Sequence, residues 1–288
     1  MTYQQSIKHF EEFLQASEPE IAGFHPHFSQ AFWEMLRHGG KRFRPNLLLA
    51  VVAGARPLML SNAFLPALAL ECLHTYSLIH DDLPCMDNAH LRRGKPTLHT
   101  IYGETSATLV GDGLNTYAFY LLSIAKLDSS VKVALVKELA ESGGIGGMII
   151  GQALDCEFEN HSLPLEQLKI IHTNKTAKLI AASLKMGALI ANLSASLHDE
   201  LGEFGLQLGL YFQIRDDIID AVQEESQAGK PTRNDSQKNS YVNLLGLTEA
   251  KALLRAESSA LHTRLAGFPG MIGENLKELL GEYFTEIV

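Results

Sequence analysis

Apolar residues recur at intervals of three and four from the first segment to the last, as in Ile7, Phe10, Phe13 and Leu14, the period of helices that turn one face to a core. No sustained alternation marks half-buried strands. The pattern predicts helices over residues 3–16, 27–38, 44–54, 61–82, 104–126, 130–141, 144–155, 165–172, 175–193, 198–224 and 248–266, and a last one over 270–285. Gly39-Gly40, Pro84, and Gly94 with Pro96 punctuate these segments, and residues 225–240, with Gly229 and Pro231, read as a polar loop of functional length. The segments 61–82 and 198–224 are long and apolar enough to be central. With neither a linker nor an internal repeat, the expected architecture is all-α, one helical domain over residues 1–288.

Composition narrows the function. There are 24 Lys and Arg against 33 Asp and Glu, a formal charge of −9 on 288 residues. That balance argues against nucleic-acid binding through a general basic surface. At 46% hydrophobic the chain is ordinary globular protein. Cys72, Cys85 and Cys156 stand far apart, suggesting neither a disulfide framework nor a thiolate zinc site. The N-terminus, with Glu11, Glu12, Glu18 and Glu20, lacks a signal peptide's pattern. No apolar run approaches the roughly 20 residues of a bilayer span. The expectations are a cytoplasmic location and no membrane insertion.

Two acidic clusters break the apolar pattern. Residues 73–80 lead into Asp81-Asp82, and Pro84 disfavours helix at Leu83, so these acids sit at a helix C-terminus with Asp87 just beyond. The macrodipole is negative there and opposes them. Tyr211-Phe212-Gln213-Ile214 leads into a second cluster, Asp216-Asp217-Ile218-Ile219-Asp220, expected near another helix end, with Asp216 and Asp220 one turn apart. Like charges at that spacing destabilise a helix. A single such cluster reads equally well as a solvated cap. Two of them, followed by Arg92-Arg93 and by Lys230 and Lys238, suggest a hard cation held by oxygen ligands, with Mg²⁺-bridged diphosphate as the ligand.

The first cluster with its flank, His74 and His80-Asp81-Asp82-Leu83-Pro84-Cys85-Met86-Asp87 through Arg92-Arg93-Gly94, resembles the first aspartate-rich motif of the short-chain trans-prenyl diphosphate synthases. Asp216-Asp217-Ile218-Ile219-Asp220 resembles the second. Gly39-Gly40-Lys41-Arg42-Phe43-Arg44-Pro45 looks like the isopentenyl diphosphate segment, Gly151-Gln152-Ala153-Leu154-Asp155 like the G-Q-x-x-D helix, and Lys175-Thr176 like the K-T pair. These motifs fall in the family's order between about residues 35 and 245.

The resemblance implies a helical bundle around a central cavity, a homodimer, and head-to-tail condensation of isopentenyl diphosphate with allylic diphosphates. It implies about three Mg²⁺ ions per site, with Mn²⁺ as the alternative metal. Asp81 and Asp87 would ligate on one side and Asp216, with Asp220 near it, on the other; Asp82, Asp217 and Asp220 would act through water. Arg92, Lys175 and Lys230 would grip the allylic diphosphate. Lys41, Arg44, His74 and Arg93 would form a metal-free pocket for isopentenyl diphosphate, where fixed donors hold a phosphate that must not ionise. Thr176 and Gln213 would face the allylic carbons, and Lys238 would sit on a closing loop.

Tyr76 lies five residues before Asp81, about 7.5 Å along a helix. In the family an aromatic there accompanies a fifteen-carbon product, although ideal helix geometry puts Ser77, not Tyr76, on Asp81's face. The twenty-carbon product is the alternative. Asn88-Ala89-His90 stands where relatives often carry more acids, and Tyr283-Phe284 onward lacks their basic tail. The run Gly143-Gly144-Ile145-Gly146-Gly147 fits neither a P-loop nor a dinucleotide fingerprint and reads as close helix or substrate approach. Three rivals remain. A terpene cyclase would not need Lys41 and Arg44, a phosphohydrolase using His80-Asp81 would need more His ligands, and a non-catalytic subunit would be expected to lose one aspartate motif.

Overall fold

Helix follows helix, as the period requires. The computed structural model describes residues 1–159, 161–228 and 239–284, residues 223–228 by their backbone alone. In chain order the helices are α1 (Tyr3–Ala16), α2 (His27–Arg37), α3 (Phe43–Ala55), α4 (Leu60–Asp81), α5 (Leu98–Tyr102), α6 (Glu104–Ile124), α7 (Ser129–Gly143), α8 (Met148–Glu157), α9 (Leu165–His172), α10 (Lys178–Ala191), α11 (Ala195–Ala228), α12 (Tyr241–Leu245), α13 (Leu247–Gly267) and α14 (Met271–Leu280). Between α4 and α5, β1 (Leu91–Arg92) and β2 (Lys95–Pro96) pair antiparallel. All-α is therefore the observed class.

The centre is built from helices buried nearly all round. Along α4, Ala63, Ala67, Leu68, Ala69, Leu70 and Cys72 are fully enclosed, and α3 buries Leu47 through Val52. Each fully buried leucine contributes about 1.5–3 kcal/mol. Around this centre α4 packs on α3 and α6, α10 on α3 and α11, and α14 on α3. Residues 57–81 reach the length and hydropathy of a bilayer span, contrary to the sequence expectation, but 67% of that window is buried inside the fold. That burial and the charged end mark it as the core helix.

Several boundaries differ from the pattern's prediction, each for a local reason. Gly144–Gly147 form a tight turn, so α8 starts at Met148. A Cβ on Gly147 would lie 2.0 Å from the Ser142 carbonyl oxygen. The last helix ends at Leu280. The second aspartate cluster is not at a helix end, because α11 continues to Ala228. The expected loop over 225–240 thus begins in helix, and residues 229–238 lie outside the described residues.

Candidate active site

The first acidic motif takes its geometry from the end of α4. Pro84 offers no amide hydrogen, so the chain turns back instead of continuing the helix. The freed carbonyls of the last turn capture the returning loop: Asp87 N donates to Asp81 O at 2.9 Å, Asn88 N to Leu83 O at 3.1 Å and Ala89 N to Asp82 O at 3.2 Å. These bonds bring Asp87 back beside Asp81 and explain the spacing of the motif. The β1–β2 hairpin follows, reversed at Arg93 (φ 54°) and Gly94 (φ 75°), both left-handed as a type I′ turn demands. It lays Arg92 against Asp82: Arg92 Nε donates to Oδ1 at 2.7 Å and Oδ2 at 2.9 Å, and Nη2 reaches Oδ1 at 2.7 Å. Asp82 is only 1% exposed, so it is an anchor for Arg92. Asp81 stays at the cavity wall. Burial pushes its carboxyl up to about 6; Lys175 and Arg92 pull the other way, and Asp87 adds to the rise.

Lys175 and Thr176 sit on a π-helical turn, Thr173–Ala177, that separates α9 from α10 where a continuous helix from 175 is expected. Two glycines shape it. A Cβ on Gly151 of α8 would lie 2.1 Å from Lys175 N, and one on Gly209 of α11 would lie 2.3 Å from the Ala177 Cα. Helices α8 and α11 therefore both press on the turn's backbone, a contact only glycine permits. Asp155 is one helical turn beyond Gly151 on the same face, and its Oδ2 accepts from Lys175 Nζ at 2.6 Å. The G-x-x-x-D spacing thus couples a close approach to the carboxylate that holds the lysine.

The loop before α3 carries a second set of cations. Gly39 (φ 86°) and Gly40 (φ 143°) let it pass under the hairpin, where Arg93 Nη1 donates to Gly39 O at 2.8 Å. Arg42 is held by carboxylates, paired at 3.0 Å with both Glu11 and Glu71. Arg44 Nη1 lies 3.0 Å from His74 Nε2. A guanidinium only donates, so His74 accepts at Nε2 and is neutral with its proton on Nδ1. Burial and the nearby Arg44 and Arg93 hold its pKa well below the ordinary value, and burial also lowers Arg44 to about 10. Arg44 Nε is buried without a hydrogen-bond partner.

Two cavities meet here. One, of about 420 Å³, is walled by Tyr76, Ser77, Met86, Met148, Asp81 and Lys175. The other, of about 590 Å³, is walled by Lys41, Arg93, Phe212, Gln213, Asp216 and Tyr283. Arg44, His74 and Thr176 line both. A mostly apolar chamber and a cationic one therefore share a wall.

Within α11 the second acidic motif divides its labour. Asp216 is itself exposed at the mouth of the cationic cavity, and the surrounding wall and Asp220 raise its pKa, against Arg215 and Lys41. Asp217 Oδ2 accepts from Tyr241 N at 2.7 Å, holding the start of α12. Asp220 is exposed one turn on. Lys230 and Lys238 lie outside the described residues.

The family model described as polyprenyl synthetase matches residues 25–260. The chain belongs to the polyprenyl synthetase family. It is 47% identical over 244 residues, 82% of this chain and 81% of the relative, to farnesyl diphosphate synthase of Geobacillus stearothermophilus. It is 40% identical over 269 residues, 91% of this chain and 70% of the relative, to a chloroplastic geranylgeranyl pyrophosphate synthase of Capsicum annuum. Its fold matches the crystal structure of a Helicobacter pylori geranyltransferase complexed with magnesium and isoprenyl diphosphate, with a TM-score of 0.90, 50% identity, and 98% of this chain and 96% of that one covered.

In a polyprenyl synthetase the side chains on the cavity walls are the donors that a metal would meet. Among the described residues no group of three or more His, Cys, Asp or Glu side chains is close enough to enclose an ion. Mg²⁺ typically takes one or two carboxylates and completes its octahedron with water and substrate phosphates. Asp81 and Asp216, on the walls of adjoining cavities, fit such a role. A histidine-ligated phosphohydrolase site does not fit, since His80 Nε2 is spent on Thr108 O at 3.1 Å and His74 on Arg44. His80 instead supports Tyr76, edge-on at 5.7 Å, above Gly111, where a Cβ would fall 2.1 Å from Nε2.

Sequence reasoning missed Arg215 and Tyr283 in the cationic cavity. Arg215 precedes the second acidic motif and was legible as a cation next to Asp216. Tyr283 had no local signal.

Proposed function

We propose that this prenyltransferase makes farnesyl diphosphate by condensing isopentenyl diphosphate with dimethylallyl and then geranyl diphosphate. The observation that carries the reading is the shared wall: Arg44, His74 and Thr176 line both an apolar chamber bearing Asp81 and a cationic chamber bearing Lys41 and Arg93. An allylic diphosphate fits the first, with its tail along Tyr76, Met86 and Met148. Isopentenyl diphosphate fits the second, its charge met by guanidinium and ammonium donors.

The reaction breaks the allylic C1–O bond, the electron pair leaving with the diphosphate. The double bond of isopentenyl diphosphate then closes on C1. A proton is lost to restore the alkene, and an oxygen of the released diphosphate accepts it. Asp81 and Asp87 from one motif, and Asp216 and Asp220 from the other, would hold about three Mg²⁺ ions, which supply charge neutralisation to the departing diphosphate. Lys175, fixed by Asp155, and Arg92, fixed by Asp82, are positioned donors to the same group. Donors already in place stabilise developing charge without reorganising at the moment of reaction. Thr176, at the junction of the chambers, and Gln213 present polar groups toward the allylic carbons. Arg44 with neutral His74, Lys41 and Arg93 hold the second diphosphate away from metal, so it does not ionise. Asp217 supports α11 against α12.

We read residues 1–288 as one domain, supported by one contiguous buried cluster from Tyr3 to Leu280. We place the enzyme in the cytoplasm, in keeping with three free cysteines, and as a homodimer. The specific alternative is geranylgeranyl diphosphate synthesis, and Tyr76 decides between them. Incubation with dimethylallyl and isopentenyl diphosphates is expected to give C15 as the main product by chromatography, whereas C20 as the main product would overturn the assignment. Asp81→Ala is expected to lose more than about a hundredfold in kcat while keeping its helical circular dichroism. Near-native turnover in that variant would remove Asp81 from the metal site.

A further inference from the structure

Lys41 ought to be the least ordered of the cations around the second cavity. It is exposed, it sits on a flexible four-carbon stem, and among the described residues its ammonium makes no ion pair or hydrogen bond. Arg44 and Arg93, by contrast, are tied to His74 and to the Gly39 carbonyl. Asp216 across the cavity attracts it, and one direct contact restrains Lys41: its Nζ lies 5.0 Å from the centroid of the Tyr283 ring. An ammonium over an aromatic face within about 6 Å is attracted by the ring quadrupole.

The ring itself is fixed from several sides. It meets Phe43 edge-on at 5.1 Å and Phe212 edge-on at 5.1 Å, while Phe43 and Phe212 meet each other at 4.9 Å. The Tyr283 carbonyl accepts from Tyr211 Oη at 2.8 Å, and Phe284 packs on Tyr211 at 5.3 Å. Phe43 and Lys41 belong to the same loop-to-α3 segment, and Phe212 is next to Gln213, so this aromatic trio joins three parts of the cavity wall. Tyr283 also lines that cavity directly. Phe43 and Phe212 thus hold a ring whose exposed face is left to Lys41.

We propose that Tyr283 is a positioning residue for isopentenyl diphosphate, acting through Lys41: its ring keeps the ammonium directed at the second diphosphate site instead of into solvent. The proposal rests on reading the cationic cavity as the isopentenyl diphosphate site. It predicts a selective effect. An ammonium that must be ordered at each binding event weakens capture of that diphosphate and leaves the allylic diphosphate untouched.

Steady-state kinetics with geranyl and isopentenyl diphosphates test this. Tyr283→Leu is expected to raise KM for isopentenyl diphosphate about three- to tenfold, the range of one cation–π contact, with kcat and the KM for geranyl diphosphate within twofold of wild type. Tyr283→Phe, which keeps the ring, should restore the wild-type KM. In a Lys41→Met background the Tyr283→Leu change should add nothing, since the ring's partner is already gone. An unchanged KM in Tyr283→Leu, a further multiplicative loss in the double variant, or a parallel drop in kcat and both affinities would overturn the proposal. Lys41→Met alone separates the two layers: if it leaves the KM for isopentenyl diphosphate unchanged, the cavity assignment fails and Tyr283 falls with it. If that KM rises while Tyr283→Leu behaves as wild type, only the role of the ring is lost.

Discussion

His172 ends α9 only 6% exposed, with its ring 5.4 Å from Tyr241 and its Nδ1 lacking a hydrogen-bond partner. Burial lowers its pKa from 6.5 to about 4, with Lys175 adding to the fall and Asp155 opposing it. Between these values the unfolded chain holds a proton that the fold refuses, so stability rises with pH across that window. The contribution of neutral His172 is complete above pH 6.5 and is lost as pH falls toward 4, up to about 3 kcal/mol in all. His172→Gln is expected to flatten the acid limb of a urea-denaturation series by about one proton; a slope unchanged from wild type would show that other groups carry it. At this scale the sequence was legible wherever a residue's type dictated its chemistry. Asp81, Lys41, Arg44, His74 and Thr176 all line the two cavities. Asp82, Asp217 and Arg42 were not separable from their neighbours, because nothing in D-D or K-R-x-R tells which side chain faces the cavity and which faces Arg92, the α12 backbone or Glu71.

The elements divide in the same way. Long periodic helices such as α1 and α4 were plain, because burial on a period of 3.6 leaves its record in the residues. The π turn at 173–177 left none in its own sequence. Its cause lies in Gly151 and Gly209, on helices remote in sequence, whose missing side chains allow α8 and α11 to press on its backbone. The displaced expectation for Asp216–Asp220 has a similar origin. Acids and a following polar stretch suggested a helix end, but α11 is held in helix to Ala228, and Asp217 helps by tying it to α12. A test of this view is Gly151→Ala. The added methyl would meet Lys175 N at 2.1 Å, and backbone cannot yield as a flexible side chain would. Such overpacking typically costs about 1–3 kcal/mol, so a melting temperature several degrees lower is expected. The larger effect should be on kcat, more than about tenfold, because the shifted turn carries Lys175 off Asp155. A stable variant with native kcat would mean the close approach does not position the lysine.

Across the whole molecule, α6 links the apolar chamber to the outer surface. Its inner face packs on α4, where Gly111 admits His80 and His80 supports Tyr76. Its outer face leaves Leu109 at 52%, Tyr120 at 54% and Ile124 at 47% exposure. Positions 109, 120 and 124 are about three turns and then about one turn apart, so they form one stripe. Exposed apolar residues on one helix face offer an interaction surface, and a two-fold homodimer would use that face on both protomers. The prediction is that sedimentation gives twice the 31.6 kDa chain mass, and that Leu109→Asp with Tyr120→Asp gives the monomer. Because the same helix backs the wall beneath His80 and Tyr76, losing the partner should also loosen that wall. The monomeric variant is therefore expected to melt lower and to lose kcat while retaining its circular dichroism. A double variant that still sediments as a dimer would place the interface elsewhere, and a monomeric variant with native kcat would uncouple the interface from the chamber.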